Sequence, residues 1–196
     1  MTGESHPKDG WPLIAFASVA GFETWLEEHH GDETGLWLKI AKKASGIASI
    51  TYAEAVDVAL CFGWIDGQRN SFDGDYFLQR FTPRRARSIW SKVNTEKVTV
   101  LTASGRMRPG GQAQVDRAKA DGRWAAAYDR LGDKVVPPDL QQVLDAHPAS
   151  AAFYSSLSAS NKYAFTFRLQ TAKRPETRAK RLAEMGRMLK AGETFH

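Results

Sequence analysis

The sequence predicts an α+β protein: a small antiparallel sheet with flanking helices, followed by a C-terminal helical bundle. Strand signals are confined to the stretch from Gly35 to Phe81, and none follows Trp124. Beyond that point prolines stand at helix-start positions, at Pro138, Pro148 and Pro175. The expected organisation is an α+β domain over residues 1–135 and a helical domain over 136–196, with Leu131 to Pro137 as the linker.

The elements follow in order. Phe22, Trp25 and Leu26 have helical spacing, so Phe22 to His29 reads as a short amphipathic helix stopped at Gly31. Leu36 to Ile40 is apolar on both faces up to Lys39, the pattern of a central strand. Thr51 with Glu54 three residues later matches a capping box and opens a helix that ends near Gly63. Trp64 to Arg69 and Tyr76 to Phe81 are strands, and the turn-rich Asn70 to Asp75 between them makes a hairpin. Alternation then sets Trp64, Asp66 and Gln68 on one face, with Ile65 and Arg69 on the other. Thr82-Pro83 is expected to open a helical turn, Asn94 to cap a helix closed by Gly105, and Pro109 to start one closed by Gly122. The last two helices start at Ser158 or Ser160 and at Pro175, the latter stopping at Gly192. Trp37, Phe62, Trp64 and Phe81 are the expected core of the first part.

At 196 residues, 42% hydrophobic and 25% charged, the chain has an ordinary globular composition. No run of 18 apolar residues spans a membrane, the first ten residues lack the apolar stretch of a signal peptide, and Cys61 has no partner cysteine. These features predict a cytoplasmic protein. The net charge of +5 is unevenly spread. Residues 1–77 carry 5 Lys and Arg against 12 Asp and Glu, and residues 78–123 carry 11 against 3. Residues 161–196 carry 9 against 3. The simplest reading pairs the basic segments with the acidic one. Nucleic acid is not an expected partner, because no helix-turn-helix, zinc finger or stacking-aromatic motif accompanies the charge.

Four stretches carry a family resemblance: Ala59 to Gly67, Arg80 to Asn94, Ala118 to Trp124 and Ala172 to Arg178. Their order and spacing resemble the YdeI-like, OmpD-associated family over roughly residues 20–196. The resemblance implies a link to bacteriocin or antimicrobial-peptide protection. It implies no catalytic mechanism.

The candidate ligand-binding residues are Asp66, Arg80, Arg84, Arg85, Trp90, Lys92 and Asn94. Free N–H groups at a helix start after Thr82 would favour an anion, and guanidinium groups grip carboxylate or phosphate bidentately. Trp90 would offer a flat face to a ring or cation. The expected partner is an anionic small molecule or peptide. The structural alternative has Asp66 paired with an arginine, and Trp64 and Trp90 in the core. Cys61 lies between Leu60 and Phe62 without a nearby histidine and reads as buried and inert. No metal site or cofactor is expected: His29, His30 and His147 lack a ligand set, and Gly105 to Gly111 is not a phosphate loop. The leading functional reading is a binding or protection module with an anion-favouring pocket. An enzyme using that pocket and a nucleic-acid-associated protein are the alternatives.

Overall fold

The computed structural model describes residues 4–6, 9–32, 34–129 and 135–195. The chain divides into two units, Met1–Ala127 and Tyr128–His196. Of the expected linker, residues 131–134 lie outside the described residues.

The first unit runs β1 (Leu13–Ala15), α1 (Val19–His29), β2 (Leu36–Ala41), α2 (Tyr52–Cys61), β3 (Trp64–Ser71), β4 (Tyr76–Pro83), α3 (Lys92–Ala103) and α4 (Pro109–Ala120). Thr51 and Glu54 form both halves of the capping box that starts α2. In the β3–β4 turn, the Asp73 carboxylate accepts the Asp75 and Tyr76 amides at 2.8 and 2.7 Å. The strand order is β1-β2-β4-β3. Both β2 and β3 pair antiparallel with β4, as the hairpin signal predicts. The sheet is nevertheless mixed, because β1 joins β2 in parallel. A three-residue strand is too short to show a period, and α1 supplies the crossover that parallel pairing requires.

Helices cover one face of this sheet. Leu36, Leu38, Ile40, Trp64 and Phe81 meet Phe22, Leu26, Val58, Leu101 and Val115 there. Trp37, Phe62, Trp64 and Phe81 are all buried, but Trp37 lies on the opposite face with Leu13, Leu78 and Trp11. Burying a side chain of this size is worth about 3–5 kcal/mol against truncation to alanine.

Two further differences from the sequence reading have local causes. The β3–β4 register passes from Asp66 opposite Phe81 to Arg69 opposite Gln79, so Gly67 and Gln68 together oppose Arg80. This bulge breaks the expected alternation: Arg69 shares the face of Phe77, with its guanidinium 4.0 Å from that ring. The buried Gln79 side chain fills the gap, donating to the Gly67 and Gln68 carbonyls at 2.8 and 3.3 Å. In the second case, β4 continues through Pro83 and no helix opens at Thr82. The proline sits at the strand end, where a missing N–H costs the ladder nothing.

Helices α2 and α4 cross closely. A Cβ at Gly111 would fall against the Cys61 carbonyl, while the Arg108 amide donates to that same carbonyl at 3.0 Å. Cys61 is buried, and burial pushes its thiol pKa up, so it stays protonated.

The second unit is helical: α5 (Pro138–Asp145), α6 (Pro148–Ser156), α7 (Ala159–Gln170) and α8 (Pro175–Ala191). No strand occurs between 138 and 190 among the described residues. Ser158 caps α7, and Gly192 ends α8 in the left-handed conformation. Its core is Leu140, Leu144, Tyr154, Phe165, Leu169, Met185 and Leu189. Two cations of the basic segment 161–196 turn inward. Arg178 and Arg181 donate to the Leu169 and Arg168 carbonyls at the end of α7, at 2.8 and 2.5 Å. Arg178 also grips Asp139 of α5 through two bonds of 2.7 and 2.8 Å.

Candidate functional site

Three of the four stretches singled out in the sequence meet at one place in the first unit. The Gly63 carbonyl, between α2 and β3, accepts the Arg84 amide at 3.0 Å. Leaving β4, the chain makes a tight turn in which the Arg85 amide donates to the Ser88 hydroxyl at 3.0 Å. That turn folds Arg84 back onto Trp90. The guanidinium carbon sits 3.6 Å from the Trp90 ring centroid, and Nη1 donates to the Ile89 carbonyl at 3.3 Å. Both side chains are buried, with 5% and 2% exposure.

The third stretch closes the cluster from the far side. Gly122 follows α4 at φ +79°, a conformation that glycine adopts without strain. It turns the chain so that Arg123 and Trp124 point back toward Trp90. The two indole rings lie 5.0 Å apart at 56°. Arg123 Nε donates to both Asp121 carboxylate oxygens at 2.9 and 2.7 Å, and Nη1 donates to the Ser88 carbonyl at 2.8 Å. The Lys119 ammonium lies 5.4 Å from the outer Trp124 ring.

Two donors in this cluster are buried and find no acceptor among the described residues: Trp90 Nε1 and Arg123 Nη2. A buried donor left unmade costs about 1–3 kcal/mol. Among the described residues the cluster is therefore short of acceptors.

The other expected residues are placed differently. Asp66 is half-buried on β3, where its carboxylate accepts the Tyr52 phenol at 2.7 Å. Pairing with Phe81 puts Asp66 on the helix-covered face, whereas Arg80 projects to the other. There the Arg80 guanidinium lies 5.4 and 6.0 Å from the Trp11 and Trp37 rings. Arg85 is exposed on the turn, and Lys92 is exposed at the first position of α3. Ser91, not Asn94, caps α3: its hydroxyl accepts the Asn94 amide at 3.2 Å. The Arg84 and Arg85 amides are thus both engaged, and the free helix N-terminus expected after Thr82 is absent. Arg123, Trp124 and Ser88 were not among the candidate residues. Their signal was the glycine stop at Gly122 followed at once by a cation and an indole.

A separate open groove of about 690 Å³ lies between α5 and α8, lined by Val143, Ala146, Leu182, Ala183, Gly186 and Lys190. Among the described residues, no group of three or more His, Cys, Asp or Glu side chains could hold a metal ion. No helix among them is long and apolar enough to cross a membrane.

Comparison with known proteins divides the chain in two. Residues 14–114 match the model of a family described as a domain of unknown function (DUF8412). Residues 134–192 match the model of the family described as bacteriocin-protection, YdeI or OmpD-associated. The resemblance read from the sequence therefore holds for the C-terminal part, while the sheet-bearing part matches a separate family model. No curated protein and no solved structure matches the chain.

Proposed function

The chain belongs to the DUF8412 family, and for it we propose a binding role: an acceptor-bearing, anionic ligand is taken up at Arg84, Trp90 and Arg123. The observation that carries this reading is the pair of buried donors, Trp90 Nε1 and Arg123 Nη2, with no acceptor among the described residues. Exposed Arg85 and Lys92, and the Lys119 ammonium beside Trp124, add positive potential around the cluster. Asp66 and Arg80 stand elsewhere in the fold and take no part. The match of residues 134–192 to the bacteriocin-protection family supports a setting in tolerance of a bacteriocin or antimicrobial peptide. The single cysteine suits action in the cytoplasm, where thiols stay reduced.

The test is thermal unfolding of the full chain with acetate, phosphate, sulfate and a neutral amide. A ligand of the native state raises the melting temperature with concentration, by an increment that follows RT ln(1 + [L]/Kd). The expected result is stabilisation by anions over the amide, lost in Arg123→Ala. Equal response to all four compounds, or the same anion response in Arg123→Ala, removes the site. In cells, replacing the native gene by one encoding Trp90→Phe should lower bacteriocin tolerance as far as deletion does.

A further inference from the structure

We infer that the groove between α5 and α8, in the second unit, receives an amphipathic helix of a partner protein, apolar along one face and acidic toward one end. The two helices that build it run side by side in the same direction. Arg178 grips Asp139 near their N-terminal ends at 2.7 and 2.8 Å. Further along, a Cβ at Gly186 would come within 3.4 Å of Val143 Cγ1. Short side chains at Ala146, Ala183 and Gly186 leave an open furrow of about 690 Å³. Its floor is apolar: Val143 and Leu182 are half-buried, while Ala146 and Ala183 are exposed. From Ala179 to Lys190 the α8 wall spans about 16 Å, roughly three helical turns.

Shape and charge together select the occupant. A furrow of this length, floored by small residues, admits the ridge of a helix, whose side chains at i, i+3, i+4 and i+7 fill it. A small molecule there would stay largely in water, and a flat membrane surface would not reach the floor. At one end of the furrow, Asp139 is neutralised by Arg178. The other end carries Arg187 and Lys190. Arg187 shares an exposed pair with Glu193 at 3.1 Å, whereas Lys190 meets no acid among the described residues. That end is therefore net cationic: acidic residues on the partner complement it, and a cationic peptide is repelled. The acidic helix of this chain, α1, does not supply the occupant, because its apolar residues Phe22 and Leu26 are already buried in the first unit.

The experiment is fluorescence anisotropy of a labelled helical peptide of about 15 residues, titrated with the full chain. The peptide carries Leu along one face and Glu on its flanks. One control peptide has Lys in place of Glu, and another has Ser in place of Leu. The acidic peptide should bind at least about tenfold more tightly than either control. Ala183→Arg adds a positive charge but fills the furrow, so it should weaken the acidic peptide about tenfold or more. Lys190→Glu should narrow the preference for the Glu peptide over the Lys peptide. Both positions are exposed, so both variants should keep the fold, checked by circular dichroism. Equal or tighter binding of the acidic peptide to Ala183→Arg would mean attraction by charge alone and overturns the groove. So does a Ser control that binds as tightly as the Leu peptide. Tighter binding of the Lys peptide overturns the acidic partner. If no peptide binds, the inference fails: sedimentation of the chain with phosphatidylglycerol vesicles would then assign the face to lipid, and a dimer lost in Ala183→Arg would assign it to a second copy.

Discussion

The Gln79 side-chain amide donates to the Gly67 carbonyl across the β3–β4 pair at 2.8 Å, from a residue only 3% exposed. A glutamine occupies this core position because the bulge leaves carbonyls of β3 without a ladder partner, and a side chain serves them in its place. Gln79→Leu keeps the volume and removes the donor. It should lower stability by about 1–3 kcal/mol, read as an earlier urea midpoint with an unchanged slope. A midpoint equal to wild type would mean that water serves these carbonyls equally well.

Gly111 should tolerate no side chain. A Cβ there meets the backbone of Cys61 and Leu60, which cannot give way as a flexible side chain would. Although alanine favours a helix, Gly111→Ala should destabilise by about 1–3 kcal/mol by forcing α2 and α4 apart. Gly186→Ala provides the contrast in α8. Its Cβ would meet only Val143 Cγ1, at 3.4 Å. That change should be neutral or stabilising by up to about 1 kcal/mol. Thermal melts of the two variants moving in the same direction would contradict the packing described.

Asp139 makes the second unit sensitive to acid. The Arg178 hydrogen bonds hold its carboxyl below the usual carboxylate range, outweighing the opposing effect of burial. A folded-state pKa below the unfolded value gives stability that is present above about pH 4 and lost as pH falls through the folded value. Arg178→Met should therefore melt earlier than wild type at pH 7, by an amount that shrinks below about pH 4. The pair is partly exposed, so the difference at pH 7 should be on the order of 1 kcal/mol. A gap that stays constant down to pH 3 would assign the effect to the Leu169 carbonyl contact alone.

Thr51→Ala removes one half of the α2 capping box and should cost about 1 kcal/mol. Glu54→Gln keeps the reciprocal geometry with a neutral partner, so its loss in chemical denaturation should be smaller.

Local chemistry was readable from the sequence wherever a few neighbouring residues settle the outcome. Thr51 with Glu54, the prolines that open α4 to α6 and α8, the Asp73 turn and the Gly192 stop all act within one turn of chain. What escaped depends on partners far along the chain. β1 owes its existence to β2, and Arg69 changes face because two residues at the bulge oppose one. Asn94 looked like a helix cap, but Ser91 stands three residues earlier with a hydroxyl in the required place. At the site, Arg84 and Trp90 were legible as a cation and an aromatic close in sequence. Their meeting with Arg123 and Trp124 was not, because α3 and α4 intervene. Arg80 failed for a simpler reason: one step along a strand reverses the face, and so separates it from Asp66.

The strand order also constrains the sequence of events in folding. β4 lies between β2 and β3, and its two partnerships close loops of very different length. Pairing with β3 needs only the short Asp73 turn, and hairpins of this kind form within about 1–10 μs. Pairing with β2 joins Ala41 to Tyr76 and must enclose all of α2, which carries a larger loop-closure entropy. The hairpin is thus the natural nucleus, onto which β2 condenses later. Substitutions in the Asp73 turn should slow refolding, whereas changes in β2 should chiefly speed unfolding.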